Sequence, residues 1–199
     1  MNPNANTLNV YYQAMTPLTP YIELLKQYNA HTNIYSKTAY DRLPFHCADG
    51  RALAQLIGNT NLTVLDMGSG SGLPAIIIAL TNPNNTVIAV ESKSRKTRFL
   101  NDVKTTLGLT NLRILNQPIQ TVSGYRVDVV TAKAFKPPAA IVHLAKRLPA
   151  KRCLVPISAN QRGALPPELI NCVATVPDPL GTDWTEFYYV DCNPATVVL

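Results

Sequence analysis

The feature that most constrains the fold is a glycine-rich loop between two apolar runs. The loop reads Asp66-Met67-Gly68-Ser69-Gly70-Ser71-Gly72. It follows the run Leu62–Asp66, which is typical of a buried strand, and it precedes Leu73–Leu80, which is typical of a helix. Closely spaced glycines let the backbone turn sharply and approach a ligand without a Cβ in the way. The order strand, glycine loop, helix therefore predicts a ligand cradle within an α/β fold.

The segments after the loop continue this alternation. Further strands are predicted at Thr86–Glu91, Leu112–Leu115, Val127–Thr131 and Arg152–Ile157, and helices at Ser94–Leu107 and Ala139–Leu148. Two more strand-like runs, Phe187–Asp191 and Thr196–Leu199, flank an Asn-Pro turn within Cys192–Ala195. The pattern predicts a Rossmann-like, doubly wound and mostly parallel sheet with an antiparallel C-terminal strand.

Accessory helices are predicted before this core. Apolar residues at helical spacing indicate one helix over Thr19–Tyr28, with Thr19 as its cap, and a second over Arg42–Ile57, which Asp41 begins and Gly58 ends. We therefore expect residues 1–60 to form a helical extension packed on a core of residues 61–199. At 199 residues, the chain fits one globular domain.

The glycine spacing narrows the class of ligand. The pattern is neither the G-x-G-x-x-G of dinucleotide-binding folds nor a phosphate loop ending in G-K-[ST]. Glu91 ends the next strand, where a carboxylate accepts hydrogen bonds from both hydroxyls of a ribose. Together they indicate an adenosyl ligand, S-adenosylmethionine. The predicted cofactor-binding residues are Asp66, Gly68, Ser69, Gly70, Gly72, Leu73, Glu91 and Ser92.

Basic residues are concentrated in the middle of the chain. Fourteen of the 18 Lys and Arg residues lie between Lys93 and Arg162, whereas residues 163–199 contain five acidic residues and no Lys or Arg. A positive face beside the cofactor loop favours an RNA partner over a merely solvated surface. The candidate RNA contacts are Lys93, Arg95, Arg98, Lys133 and Lys136.

Several other classes of protein are not indicated. The longest apolar stretch, Leu73–Leu80, is too short to span a bilayer, and Met1–Val10 does not read as a secretory leader. The four cysteines form no CxxC pair, and the three histidines have no zinc-ligand spacing. We therefore expect a cytoplasmic, monomeric protein with reduced cysteines and no bound metal.

Two segments resemble one known family. Val64–Pro74 and Arg95–Leu100 are similar to the glucose-inhibited division protein B family, in which Leu-Pro follows the glycine loop and a basic-x-x-Phe-Leu sequence follows in the next helix. His46-Cys47-Ala48-Asp49 and Asp128–Phe135 extend the resemblance, which covers residues 20–199. It implies a class I methyltransferase fold and transfer of a methyl group from S-adenosylmethionine to guanine N7 of small-subunit 16S ribosomal RNA.

That chemistry requires positioning rather than a base, because N7 has a free lone pair. Lys133, after the fourth predicted strand, is the candidate residue that positions the target base, or else a cation at the mouth of the cleft. A lysine at this place also leaves ribose 2′-hydroxyl transfer open. Phe135 is expected to stack on the base or to join the core. We expect His46 and Asp49, one helical turn apart, to form a structural pair.

The chain also departs from the family at three positions. Lys133 replaces an arginine, Ile157 lies where the family has Lys-Gly, and Glu186 lies near a position that is basic in the family. These changes motivate a second hypothesis, guanine-N7 transfer to another RNA such as a cap guanosine. A third hypothesis is a non-catalytic RNA-binding module of the same fold.

Overall fold

The computed structural model describes residues 18–158, 161, 172–177 and 184–191. The strands are β1 (Thr63–Met67), β2 (Thr86–Val90), β3 (Leu112–Leu115), β4 (Val127–Thr131), β5 (Ala150–Ser158), β6 (Cys172–Pro177) and β7 (Trp184–Asp191). The α-helices are α1 (Thr19–His31), α2 (Leu43–Ile57), α3 (Ala75–Thr81), α4 (Ser94–Thr106) and α5 (Pro138–Lys146). Short 3-10 helices cover Lys37–Arg42 and Ile119–Thr121. Among the helices described, none has the length and apolar character that crossing a bilayer requires.

All seven strands form one sheet in the order β3-β2-β1-β4-β5-β7-β6. Strands β1 to β5 pair in parallel, and β7 runs antiparallel between β5 and β6. The predicted doubly wound, mostly parallel sheet with an antiparallel C-terminal strand is therefore confirmed. The strand order reverses between β1 and β4, and ligands of such sheets bind beyond the carboxyl ends of the strands at that point.

The C-terminal part differs from the predicted hairpin. Strand β7 begins at Trp184 rather than Phe187 and pairs with Cys172–Pro177, a segment for which no strand was predicted. The other expected partner, Thr196–Leu199, lies outside the described residues, as does the turn before it. The predicted side-chain caps were also wrong, because Leu18 and Arg42 occupy the N-cap positions of α1 and α2 without a side-chain cap bond.

Successive strand residues enter two apolar layers on opposite faces of the sheet. Val64 joins the layer that contains residues of α1 to α4, whereas Leu65 joins the layer beneath α5. Helix α1 belongs to the first layer because the fully buried Tyr21 and the half-buried Tyr28 both pack against the Phe99 ring of α4. The accessory helices thus bury their apolar faces on the core.

The first helix also touches the glycine loop directly. The hydroxyl of Tyr21 donates a hydrogen bond to the Ser71 carbonyl oxygen at 2.9 Å. Nearby, α2 packs closely on α3, since a Cβ built on Gly50 would lie 3.0 Å from the Ile77 side chain. The accessory helices therefore support the loop that follows β1.

Candidate active site

The site lies where the carboxyl ends of β1 and β4 meet. The glycine loop leaves β1, and the loop 132–137 leaves β4. The glycine loop is fastened to the end of β2, because the N–H groups of Gly68 and Ser69 both donate to the Val90 carbonyl oxygen, at 2.9 and 3.0 Å. Its path follows from φ angles of 69°, 56° and 88° at Gly68, Gly70 and Gly72, a region that only glycine adopts readily.

The three glycines face different surroundings. A Cβ on Gly68 would lie 2.0 Å from Cδ2 of Phe135, and one on Gly72 would lie 2.2 Å from Cδ1 of Ile76. Among the described residues, a Cβ on Gly70 would meet only the Gly68 carbonyl oxygen and the Lys96 ammonium, at 3.7 and 3.8 Å. Gly72 is thus packed into the core, whereas Gly70 faces open space.

Two cavities flank the loop. The larger, about 530 Å³, is lined by Gly68–Ser71, Leu73, Lys133 and residues of β5 and β7. Residues 34–36 and His46, which belong to the accessory segment 18–57 before β1, also line this cavity. The smaller, about 200 Å³, is lined by Gly68, Glu91, Ser92, Gln117, Phe135 and Lys136, among others. Gly68 borders both cavities, and the half-buried Phe135 ring covers it. The two cavities, which we call compartments, therefore meet at Gly68 beside the ring.

Glu91 holds the turn of the loop from the end of β2. Its two carboxylate oxygens accept hydrogen bonds from the backbone N–H groups of Gly70, at 3.1 Å, and Lys93, at 2.7 Å. The side chain is only 7% exposed and borders the smaller cavity. A carboxylate has about four lone-pair sites, so both oxygens retain acceptor capacity for hydroxyl groups.

Asp66 lies beneath the loop at the end of β1. Its Oδ1 accepts a hydrogen bond from the Thr131 hydroxyl at 2.9 Å, while its Oδ2 is buried without a partner in the described part of the chain. Burial raises the pKa of this carboxyl to about 7, against the lowering effect of its hydrogen bonds. An unpaired buried carboxylate oxygen is costly, and a cationic ligand group would compensate it.

Lys133 reaches the wall of the larger cavity from the loop after β4. Its ammonium forms an ion pair with Asp49 of α2, and the same carboxylate oxygen accepts a hydrogen bond from the Thr185 hydroxyl of β7 at 3.1 Å. Burial lowers the pKa of Lys133 and raises that of Asp49, and their mutual attraction opposes both shifts. Helix α2 thus fixes the cation that is expected near the target base.

The expected pair of His46 and Asp49 is wrong. His46 Nδ1 instead lies 2.5 Å from the hydroxyl of Tyr35, in the segment after α1. Burial, helped by the nearby charges of Lys133 and Arg42, lowers the pKa of His46 to about 4. His46 is therefore a neutral group on the wall of the larger cavity.

The predicted RNA-contacting cations are spread around the site. Lys93, Arg95, Arg98 and Lys136 are exposed, and Lys136 lies over the Phe135 ring with Nζ 5.4 Å from the ring centroid. Lys96, which the sequence analysis did not select, lines the larger cavity beside Gly70. Tyr35 and Thr185 were also missed, because they come from segments without a recognisable motif.

The other two altered positions lie away from the larger cavity's described lining. Ile157 is buried among apolar residues of β4, β5 and α5, whereas its neighbour Pro156 faces the cavity. Glu186 is buried and accepts a hydrogen bond from the Tyr188 hydroxyl at 3.0 Å. Of the three departures from the family, only Lys133 borders the cavity itself.

The amino-acid sequence matches one family of known proteins. The profile of the family described as rRNA small subunit methyltransferase G matches residues 14–157. A ribosomal RNA small subunit methyltransferase G from Neisseria meningitidis serogroup C is 32% identical over 129 residues, 64% of this chain and 62% of that protein. One from Acidothermus cellulolyticus is 36% identical over 138 residues, 68% of this chain and 61% of that protein. The aligned part thus spans less than two thirds of either relative.

Solved structures with little sequence identity share the fold. A putative RNA methyltransferase from Pyrococcus horikoshii is 14% identical, with a TM-score of 0.54 over 74% of this chain and 84% of that chain. The N-terminal domain of EvdMO1, crystallised in the presence of SAH and D-fucose, is 13% identical, with a TM-score of 0.54 over 74% of this chain and 83% of that chain. The predicted class I methyltransferase fold is confirmed.

Proposed function

Because the chain belongs to the rRNA small subunit methyltransferase G family, we propose that it transfers a methyl group from S-adenosylmethionine to guanine N7 of small-subunit ribosomal RNA. One observation carries the proposal. The open side of Gly70 lies in a cleft with an unpaired buried oxygen of Asp66 beneath the loop and the Glu91 carboxylate beside it. This arrangement matches a ligand with an ammonium group and a ribose.

The amino-acid end of the cofactor fits the larger compartment. The carboxyl of Asp66, two residues before Gly68, is buried with one unpaired oxygen in the described structure and attracts the ammonium group directly or through a bound water. The backbone at Gly70 leaves room because no Cβ projects there. Gly72 contributes by letting the loop pack against Ile76, so its role is to shape the cradle rather than to touch the ligand.

The adenosine end fits the smaller compartment. Glu91 holds the two ribose hydroxyls while keeping its bonds to the Gly70 and Lys93 backbone. Ser92 and Gln117 border the same space and offer polar groups to the base. Because Glu91 binds both the loop and the sugar, ligand binding and loop conformation are coupled.

The acceptor guanine fits the larger compartment beside Lys133. The cofactor supplies a methyl group activated on a sulfonium, which the N7 lone pair takes as the carbon–sulfur bond breaks. The chain's task is therefore to hold N7 in line with that bond, and no residue has to remove a proton. The ammonium of Lys133 donates to the guanine O6, a recurring contact of lysine with this base, and neutral His46 offers a further hydrogen-bonding group.

Calorimetry with S-adenosylmethionine tests the cofactor site. We expect the wild-type protein to bind it, Gly70→Arg to abolish binding by filling the open side of the loop, and Glu91→Gln to weaken it. The Gln variant keeps the shape and one acceptor, so it separates the charge of Glu91 from its packing. Absence of binding in the wild type, or unchanged binding in Gly70→Arg, would refute the site.

Methyl-transfer assays then test the acceptor. Isolated small subunits, naked ribosomal RNA and capped RNA are offered with labelled cofactor, and the nucleosides are analysed for N7-methylguanosine. We expect label in the ribosomal substrates. Label only in capped RNA would support the alternative acceptor, and binding of cofactor and RNA without transfer would support the non-catalytic module.

The proposal also covers the protein's cellular location, oligomeric state, metal content and domain organisation. We propose a cytoplasmic monomer without a bound metal, in which residues 1–60 form a helical extension on the core of residues 61–199. The bond from Tyr21 to the loop and the contact of Asp49 with Lys133 support a continuous unit of extension and core. Sedimentation equilibrium and metal analysis of the purified protein test these points.

A further inference from the structure

A basic groove runs along the outside of the accessory segment into the larger cavity. Its volume is about 830 Å³, and it lies between residues 29–37, at the end of α1, and the first turn of α4. Its described lining contains the basic residues His31, Lys37, Arg95 and Lys96 and no Asp or Glu. We define these residues with the segment 29–37 as the basic groove.

The basic side chains of the groove lack carboxylate partners in the described part of the chain. Among the described residues, none of the four forms an ion pair with an Asp or Glu within 4 Å. His31, Lys37 and Arg95 are exposed, and Lys96 is half-buried at the inner end. A positive surface that the protein does not neutralise itself favours a polyanionic partner.

The wall of the basic groove is held in a fixed shape. The buried Asn29 side chain accepts hydrogen bonds from the N–H groups of Ile34 and Tyr35, at 2.8 and 3.0 Å, and donates to the Tyr35 carbonyl oxygen. Thr32 closes the end of α1 by donating through both its N–H and its hydroxyl to the Tyr28 carbonyl oxygen. The groove is therefore pre-organised, and binding there costs little ordering of this segment.

The basic groove and the larger cavity are one connected surface. Ile34, Ser36 and Lys96 line both of them. A ligand that lies in the groove therefore leads to the loop at Gly70 and to Lys133. This continuity distinguishes the groove from the exposed cation Lys136, which lines the smaller cavity instead.

The reaction itself selects the form of the polyanion. In an A-form duplex, guanine N7 faces a deep and narrow major groove that protein side chains do not enter. A target guanine must therefore leave the stack and turn into the cavity, which costs least in a single strand. From this we propose that the basic groove binds the single-stranded RNA segment next to the target guanine, with Lys37 and Arg95 on its phosphates. The inference rests on the proposed function, because the connected cavity is taken as the methyl-transfer site.

The two sides of the basic groove come from different parts of the chain. The core supplies Arg95 and Lys96, and the accessory segment supplies Lys37 and the fixed wall. Lys96 is excluded from the test because it also borders the cofactor loop. Lys37 and Arg95 are exposed and are replaced with little expected effect on folding.

The test compares two double variants of the full-length protein. Lys37→Ala/Arg95→Ala removes two cations from the groove, and Lys26→Ala/Arg126→Ala removes one exposed Lys and one exposed Arg that do not line it. Fluorescence anisotropy measures binding of a labelled single-stranded RNA of about 12 nucleotides over a range of salt concentrations. Each lost phosphate contact lowers the salt slope by about 0.7 on a single strand, so we expect a reduction of about 1.4 for the groove variant and none for its control.

Two further measurements make the outcome decisive. Cofactor binding by calorimetry is expected to stay within twofold of wild type in both double variants, and the duplex form of the RNA is expected to bind less tightly than the single strand. Equal salt slopes in the two double variants, or tighter binding of the duplex, would overturn the proposal. If polyglutamate binds and single-stranded RNA does not, the groove serves an acidic polypeptide and the proposal is wrong.

Different results would refute the proposed RNA groove and the proposed function. Loss of cofactor binding or of methyl transfer in the wild type overturns the function, while salt-dependent RNA binding still reports on the groove. Normal methyl transfer to ribosomal RNA by Lys37→Ala/Arg95→Ala, with an unchanged KM for RNA, overturns the groove alone.

Discussion

Replacing single glycines in the loop after β1 distinguishes a glycine that is needed for folding of the loop from one that is needed for ligand binding. Gly70→Ala and Gly72→Ala make the same chemical change two residues apart, and both positions have positive φ angles, 56° and 88°. They differ in space, because a Cβ at position 72 would lie 2.2 Å from Cδ1 of Ile76 and 2.9 Å from Cδ2 of Leu100, both fully buried. The comparison therefore isolates the cost of crowding.

The magnitudes follow from these surroundings. A left-handed conformation costs an alanine about 1–2 kcal/mol, and the smaller entropy of its unfolded chain offsets about 0.4–1 kcal/mol of this cost. Forcing a methyl group into a packed core adds about 1–3 kcal/mol at Gly72 only. We expect the free energy of unfolding to fall by about 1 kcal/mol in Gly70→Ala and by about 3 kcal/mol in Gly72→Ala.

Ligand binding should show the opposite order. The new methyl group at position 70 points into the cleft beside Lys96, so we expect the affinity for S-adenosylmethionine to fall at least about tenfold, which corresponds to about 1.4 kcal/mol. Urea unfolding followed by circular dichroism measures the first quantity, and calorimetry measures the second. Equal losses of unfolding free energy in the two variants, or unchanged cofactor affinity in Gly70→Ala, would refute the assignment of the two glycines.

Three further predictions concern buried polar groups. Because the pKa of Asp66 is raised to about 7, its carboxyl takes up a proton as the pH falls through that value, so cofactor affinity measured by calorimetry should drop about tenfold from about pH 8 to pH 6; an unchanged slope in Asp66→Asn would contradict this. Asp49→Ala leaves the Lys133 ammonium buried without its partner and should cost about 3–5 kcal/mol in urea unfolding, less if Lys133→Met is added. Tyr21→Phe removes the bond to the Ser71 carbonyl oxygen and should lower the unfolding free energy by about 1 kcal/mol, and an unchanged value would assign the bond no net stabilisation.

Local sequence patterns predicted most of the core because its strands are buried and parallel. Strand β4 has the predicted bounds and β1 is displaced by one residue, since runs of branched apolar residues flanked by polar ones describe such strands well. Strand β3 also has the predicted bounds, although it lies at the sheet edge and contains the exposed Arg113. Strand β6 was missed because Cys172–Pro177 lies at the sheet edge and ends in a proline, so its identity depends on pairing with β7. Pairing between distant segments has no local sequence pattern.

The site was predictable to a similar depth. The glycine loop is a contiguous motif and Glu91 ends the next strand, so both could be recognised from the sequence. The structure places them together, since the Gly70 N–H donates a hydrogen bond to Glu91. The partner of Lys133 lies 84 residues away on α2, and a spacing rule pointed Asp49 toward His46 instead. That rule fails here because the Asp49 carboxylate instead pairs with Lys133, which follows β4, and accepts a hydrogen bond from Thr185 of β7. These two contacts outweigh an interaction between residues one helical turn apart.

The ring of Phe135 over Gly68 has a thermodynamic consequence for ligand binding. We expect a ligand that fills both compartments to displace the ring from its contact with Gly68, so that binding requires a conformation in which the ring is turned away. The observed dissociation constant is then the intrinsic constant divided by that fraction. A smaller side chain at position 135 is expected to raise the fraction of molecules in which both compartments are open, without adding a contact to the ligand. The neighbouring residue, Ala134, has a positive φ of 50°. We therefore expect the affinity of the cleft to depend partly on an equilibrium that exists before any ligand arrives.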